Sequence, residues 1–83
     1  MKMEKSLTYA ISKAKRSISE NKYGRIDNIL DVIYQYNIRK DEIDTLIKSI
    51  NKWIEKNSDS DYFAGVNDLY DSSDIEYFKK EAR

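Results

Sequence analysis

The side chains that could carry chemistry in this sequence are carboxylates, lysines, hydroxyls and tyrosines, because the 83 residues include neither histidine nor cysteine. These two absences exclude imidazole acid–base catalysis, thiolate chemistry, disulfides and zinc sites built on cysteine or histidine. The whole chain has two glycines, so a glycine-rich phosphate loop is excluded as well. The residue types therefore point away from an enzyme and towards a binding protein.

Two pairs of nearby carboxylates come closest to a metal or acid–base site. Asp59 and Asp61 form one pair, and Asp41 and Asp44 form the other; such pairs can bind a hard cation or share acid and base roles. The first pair begins like a calcium loop, but Phe63 occupies the fifth position and the glycine comes one place late for an EF-hand. We therefore predict no metal, no cofactor and no catalytic residue.

The charges are distributed unevenly, although 15 basic and 15 acidic residues cancel. Residues 1–25 hold seven basic and two acidic side chains, residues 26–57 hold five and six, and residues 58–83 hold three and seven. No basic residue occurs from Asn57 to Phe78. Such asymmetry indicates a charged partner, and attraction between the two ends of one fold would account for it equally well.

The acidic, tyrosine-rich stretch is the candidate partner-binding surface. If residues 61–71 form a helix, the aspartates share one face and the tyrosines lie on the opposite arc. Regularly spaced carboxylates beside tyrosines suit a surface lined with lysine and arginine. The candidate partner-binding residues are Asp59, Asp61, Asp68, Tyr70, Asp71, Asp74 and Glu76.

We interpret the chain as a non-enzymatic protein–protein interaction module whose partner is a protein with a basic surface, such as a nucleic-acid-binding enzyme. The extreme form of such docking is mimicry of a nucleic-acid backbone, which would make the chain an inhibitor or regulator encoded by a phage or other mobile element. Its length and predicted helix number are similar to those of bacteriocin immunity proteins and small phage-encoded inhibitors, including anti-CRISPR proteins. No motif matches either group, so no residue is assigned from them. No small-molecule substrate is expected.

A nucleic-acid-binding regulator is the alternative interpretation. Its candidate binding residues lie on the polar face of the first helix and are Lys5, Tyr9, Lys13 and Arg16. Such basic side chains can follow a phosphate backbone while tyrosine stacks on a base. Residues 26–56 also resemble a helix-turn-helix hairpin in spacing. However, the second helix of that hairpin would begin with Asp41, Glu42 and Asp44, which phosphates would repel.

Helical periodicity organises most of the chain. Apolar residues from Leu7 to Ile18 recur every three or four positions, and this first helix should end near residues 21–24, where a glycine favours a helix stop. A second helix is predicted for residues 26–36; because it is apolar nearly all round, we expect it to be the most buried element. A third helix is predicted for residues 40–56.

The last part of the chain is less regular. Residues 62–70 fit a fourth helix, and an aromatic strand fits the same residues. Ser73 and Glu76 match the S-x-x-E capping box, which predicts that a last short helix begins there and carries Ile75 and Phe78. The sequence thus predicts one all-α domain over residues 1–83, a small compact bundle of four to five short helices, with residues 58–83 less ordered. The predicted core residues are Leu7, Ile11, Ile18, Ile29, Leu30, Ile33, Ile43, Leu46, Ile47, Ile50, Trp53 and Leu69.

Location and assembly are predicted from what the chain lacks. Met1 to Arg16 shows no apolar run like that of a signal peptide, and no stretch approaches the 18 apolar residues that span a membrane. We therefore expect a soluble, cytoplasmic protein without a membrane partner. Because so small a core contributes only a few kcal/mol of net stability, homodimerisation is one way to bury more apolar surface.

Overall fold

Four α-helices make up the fold in the computed structural model, which describes residues 5–20, 24–57 and 69–82. Helix α1 spans Lys5–Ser19, α2 spans Arg25–Gln35, α3 spans Lys40–Lys56 and α4 spans Ser72–Glu81. No strand occurs among these described residues. The prediction of a small all-α bundle is confirmed, whereas most of the predicted helix or strand at 62–70 lies outside the described residues.

The helices surround one hydrophobic core. Helix α1 packs against α2 and α3, and α4 packs against the same two helices. Buried residues from all four helices join a single apolar cluster. Helix α4 therefore lies between α2 and α3 on the surface of the bundle, so its outer face is flanked by grooves shared with both neighbours.

Burial is shared among α1, α2 and α3, and none of the three is distinctly the most buried element. Five apolar residues of α1 are buried together with Ser17. Five apolar residues of α3 are buried: Ile43, Leu46, Ile47, Ile50 and Ile54. Helix α2 buries three apolar residues and the amide of Asn28. The apolar arc of α2 includes Tyr34, which is 55% exposed, so α2 is not buried all round as its apolar pattern suggests. The tyrosine ring tolerates water at its polar end, so an apolar arc does not require full burial.

The predicted core is largely confirmed, with differences at three positions. Leu30 and Trp53 are only partly buried against the core. Leu69 is wrong as a core residue because it is 38% exposed, and its neighbour Tyr70 is buried instead, with 4% of its surface exposed. Residues 69 and 70 lie outside the helices, so no helical period relates their side chains, and it is the aromatic ring that turns inward.

The turn between α2 and α3 is a Schellman-type helix end. Asn37 has a positive φ of 53°, and the amide of Ile38 donates to the carbonyl of Ile33 (3.0 Å). Asparagine tolerates this left-handed conformation, and the six-to-one hydrogen bond satisfies a carbonyl that the helix leaves unpaired. Ile38 is 1% exposed, so the turn adds an apolar residue to the core that helical periodicity did not predict.

The N-cap of α4 is Asp71, two residues before the predicted cap Ser73. The amide of Asp74 donates to Asp71 Oδ1 and the amide of Asp71 donates to Asp74 Oδ2, both at 3.0 Å. This reciprocal pair is a capping box, so the prediction that Ser73 and Glu76 form it is wrong. The helix starts here because the chain is anchored at the preceding residue, as described below.

None of the helices in the described ranges is long and apolar enough to cross a membrane.

Candidate functional site

The candidate partner-binding residues divide into three groups in the structure. Asp59, Asp61 and Asp68 lie outside the described residues. Tyr70 and Asp74 make contacts inside the fold, whereas Asp71 and Glu76 are exposed. Among the candidate residues that the structure describes, the exposed acidic side chains therefore lie in the first two turns of α4 and at the residue that caps this helix.

Tyr70 is anchored to two helices. Its backbone amide donates to Asn51 Oδ1 (2.8 Å), and Asn51 Nδ2 donates back to the Tyr70 carbonyl (2.9 Å). Its hydroxyl donates to the carbonyl of Arg25 (2.8 Å), and its ring packs against Phe78 with 5.8 Å between centroids. Burial raises the pKa of Tyr70 to about 12, with opposing effects from the nearby Arg25 and Asp74 charges. These contacts give Tyr70 a structural role within the fold. The sequence alone places Tyr70 among the candidate partner-binding residues.

Asp74 is paired with Arg25 rather than free for a partner. The Arg25 guanidinium donates to Asp74 Oδ2 (2.8 Å) and to the carbonyl of Leu69 (2.6 Å). Partial burial acts to raise the pKa of Asp74, but hydrogen bonds from Arg25 and Asp71 lower it by more, so the pKa lies below the usual aspartate value. This ion pair joins a basic residue from the first third of the chain to the acidic stretch. It is the kind of contact expected if the two oppositely charged ends of the chain attract each other within one fold.

A groove between α3 and α4 holds two exposed acidic residues, Asp44 and Glu76. We call it the α3–α4 groove; its lining residues are Asp44, Ser72, Ser73, Ile75, Glu76 and Lys79. Lys79 forms an ion pair with Asp44 (3.2 Å), whose side chain remains 57% exposed. No salt bridge between described residues engages Glu76. The groove thus combines an unneutralised carboxylate with two hydroxyls and a partly buried isoleucine.

A second cavity lies on the other side of α4, between α4 and α2. We call it the α2–α4 cleft; its lining residues are Ile33, Tyr34, Asn37, Ile38, Glu81 and Ala82. The Tyr34 hydroxyl donates to Glu81 Oε1 (2.5 Å). That hydrogen bond is the main reason why the pKa of Tyr34 is raised. No local sequence pattern predicts this site, because Tyr34 and Glu81 are 47 positions apart.

The candidate nucleic-acid residues of α1 are partly brought together. Tyr9, Lys13 and Arg16 line a shallow groove with Ser12 and Tyr36. We call this the α1 groove. The side chain of Lys5, at the start of α1, lies outside the described part of the structure.

The two cations of the α1 groove differ in whether other side chains pair with them. The Lys13 ammonium donates to Gln35 (3.1 Å) and lies 3.8 Å from the Asp31 carboxylate. Arg16 is exposed and makes no salt bridge with another described residue. Tyr9 is 53% exposed. Of the three candidate residues in this groove, Arg16 and Tyr9 are therefore the most accessible to a ligand.

The described residues contain no group of three or more carboxylates, histidines or cysteines that could hold a metal ion. The Asp41 carboxylate forms an ion pair with Arg39 (3.6 Å), and the Asp44 carboxylate forms a separate one with Lys79 (3.2 Å). Pairing with different cations does not favour joint binding of a metal by these two carboxylates. The Asp59 and Asp61 pair lies outside the described residues.

In comparisons with protein-family models, with curated proteins and with solved structures, the chain has no significant match of any of the three kinds.

Proposed function

We propose that this chain is a non-enzymatic protein-binding module that docks the acidic face of α4 on a basic surface of a partner protein. The observation that carries the proposal is the position of Glu76. Its carboxylate is exposed in the α3–α4 groove, and no salt bridge with a described residue neutralises it. Unlike Asp71 and Asp74, Glu76 takes no part in the capping box of α4.

Asp44 lies in the same groove, and Asp71 caps the helix that forms one of its walls. Asp44 is exposed at the opposite wall of the groove, and Asp71 is exposed immediately before α4. Carboxylates grouped in this way attract a basic partner over several ångströms and raise the rate of encounter. The hydroxyls of Ser72 and Ser73 add hydrogen-bonding groups beside them.

The proposal includes the biological role. The partner is a protein with a basic surface, in the first instance an enzyme that binds nucleic acid, and the chain acts in the cytoplasm as an inhibitor or regulator encoded by a phage or other mobile element. Support for this role comes from the sequence, in which no basic residue occurs between Asn57 and Phe78. Blocking a basic surface requires no catalytic group, which is consistent with the residue types of the chain.

The test is affinity capture of partners from nuclease-treated host lysate with tagged wild type and with Glu76→Gln, alone and combined with Asp44→Asn. We expect a protein partner whose capture is lost at high salt and falls about three- to tenfold in the double variant, as for the loss of one or two rim charges. Glu20→Gln removes one exposed carboxylate at the end of α1 and should leave capture unchanged. Equal capture by wild type and double variant at every salt concentration would contradict the proposal.

Binding of single-stranded nucleic acid by the α1 groove is a second candidate function. The observation in its favour is that Tyr9, Lys13 and Arg16 share one groove with Tyr36. A basic groove with accessible aromatic rings is the usual surface for single strands, because phosphates pair with the cations and bases stack on the rings. A helix-turn-helix mode is disfavoured, since Asp41 and Glu42 occupy the first turn of α3.

Fluorescence anisotropy with a labelled single-stranded oligonucleotide at low salt tests this second function. Arg16→Glu and Tyr9→Ala should each weaken binding, by about five- to tenfold for the loss of one stacking ring. Lys48→Glu changes an exposed cation on α3 and serves as the matched control. Equal affinities for Arg16→Glu and Lys48→Glu would assign any observed binding to net charge rather than to the groove.

A further inference from the structure

The α2–α4 cleft has an apolar floor and an acidic, aromatic rim. Ile33, Ile38 and Ala82 form the floor, while Tyr34 and Glu81 lie on the rim. The cavity measures about 280 Å³, below the range of roughly 300–1,000 Å³ typical of small-molecule sites. A space of this volume is large enough for one long side chain of another protein.

The rim of the cleft carries negative charge that the described residues do not neutralise. Glu81 is the last residue of α4, where the helix dipole and the unpaired carbonyl groups already make the potential negative. A carboxylate at this end of a helix is unfavourable by itself. Its hydrogen bond from Tyr34 engages one oxygen, and no salt bridge with a described residue engages the carboxylate. The adjacent Lys80 is exposed, and Lys79 is paired with Asp44.

Two exposed tyrosines lie beside this carboxylate. Tyr34 is 55% exposed and Tyr77 is 44% exposed, and Tyr77 precedes Glu81 by four positions on α4, which places both residues on one side of the helix. The Tyr77 ring lies beside that of Phe78, its buried neighbour in the chain, with 6.0 Å between ring centroids. Exposed tyrosines on a rigid support are common at the centres of protein interfaces.

We infer that the α2–α4 cleft receives an arginine side chain of the basic partner, an inference that rests on the proposed docking of α4. The guanidinium pairs with the free oxygen of Glu81 and lies against the Tyr34 ring, while the methylene stem covers the apolar floor. Arginine fits better than lysine because its planar group stacks on an aromatic ring and donates from several N–H groups in one plane. Its stem is apolar and can lie over Ala82, which is the most exposed residue of the floor at 8%.

NMR titration with three capped tripeptides, glycine–X–glycine with arginine, lysine or norleucine as X, tests the cleft directly. With the arginine peptide we expect amide shifts that cluster at residues 33–38 and 77–82, with binding in the millimolar range. Glu81→Gln should weaken this binding about three- to fivefold, as for a solvent-accessible ion pair. Tyr34→Leu should weaken it, whereas Tyr34→Phe keeps the ring and should retain it. Glu20→Gln is the control at an exposed carboxylate outside the cleft.

Other outcomes would contradict the arginine site, its occupant or its place in the docking face. Equal shifts with the norleucine peptide, or an unchanged affinity in Glu81→Gln, would overturn the arginine site. Concentration-dependent dimerisation that is lost in Glu81→Gln would assign the cleft to a second copy of the chain and overturn the choice of occupant. Affinity capture separates this inference from the proposed function: if Glu81→Gln captures the partner as wild type does while Glu76→Gln with Asp44→Asn does not, the docking face stands and the cleft lies outside it.

Discussion

Arg25 and Tyr70 contact each other through both the side chain and the backbone of Arg25. The Arg25 guanidinium carbon lies 4.3 Å from the centroid of the Tyr70 ring, and the Tyr70 hydroxyl donates to the Arg25 carbonyl (2.8 Å). The same guanidinium also binds Asp74 and the carbonyl of Leu69. One arginine at the start of α2 therefore fixes both the residue that precedes the α4 cap and a residue of the first turn of α4.

This arrangement explains why α4 docks although it is short. An isolated helix of ten residues is marginal in water, so its stability must come from packing and from its ends. Phe78 is fully buried, and the chain before α4 is held by Asn51 and Arg25. The two grooves proposed for binding are consequently built on a helix whose position is fixed by contacts at its N-terminal end.

Asn51→Ala should destabilise the fold by about 2 kcal/mol. The substitution removes both hydrogen bonds to the Tyr70 backbone and leaves a largely buried amide and carbonyl without these partners. Urea unfolding followed by circular dichroism measures the change, and Lys52→Ala is the control because Lys52 is exposed on the same helix. A loss no larger than that of Lys52→Ala would show that the Tyr70 segment is held by other contacts.

Tyr70→Phe should show an effect that changes sign with pH. At pH 8 the loss of the hydrogen bond to Arg25 should cost about 1 kcal/mol. Above pH 10 an unfolded tyrosine ionises, whereas the pKa of buried Tyr70 is about 12, so the unfolded wild type binds fewer protons and its stability falls as the pH rises. Phenylalanine has no such penalty.

We therefore expect the difference between wild type and Tyr70→Phe to shrink from pH 10 upwards and to reverse near pH 11–12. Unfolding free energies of both proteins at a series of pH values measure it, and the lysines titrate in both. A constant difference from pH 8 to pH 11.5 would be inconsistent with a buried Tyr70 hydroxyl.

Asp74→Asn should remove an acid-dependent part of the stability. The pKa of Asp74 is lower in the folded protein than in the unfolded chain. As the pH falls, the unfolded chain therefore takes up the proton first, and this favours unfolding. The stability contributed by the Arg25–Asp74 pair is consequently lost as the pH falls through and below about 3.9, the pKa of an unperturbed aspartate. Wild type should exceed Asp74→Asn by about 1–2 kcal/mol at pH 7. The gap should narrow as the pH falls below about 4, which chemical denaturation at matched pH values measures; a gap independent of pH would contradict the role of the ion pair.

Asn37 should respond to substitution according to backbone conformation rather than side-chain contacts. Its positive φ costs an alanine about 1 kcal/mol, whereas glycine adopts the same angle without strain. Thermal unfolding should therefore show a lower melting temperature for Asn37→Ala and little change for Asn37→Gly. Equal losses in both variants would indicate that the asparagine side chain, and not its φ angle, stabilises the turn.

Much of the fold follows from local patterns. The buried face of α3 could be predicted because Ile43, Leu46, Ile47 and Ile50 recur at helical spacing, and this spacing places them on one side whatever packs against them. The same reasoning holds for Leu7, Ile11 and Ile18 on α1, all of which are buried. Ile38 was missed although it had a local signal, since an asparagine after a helix followed by an apolar residue is typical of a Schellman end.

The sequence by itself determined the helical class, the core faces of α1 and α3 and the absence of imidazole and thiol chemistry, since each depends on residue type or on spacing within a few positions. Only the tertiary structure decided which acidic and aromatic residues remain on the surface. Arg25 meets Asp74 and Tyr70 across 49 and 45 positions, and Tyr34 meets Glu81 across 47. The local pattern around Tyr70 and Asp74 is the same whether they face a partner or the core, because their environment is set by a distant helix that packs beside them.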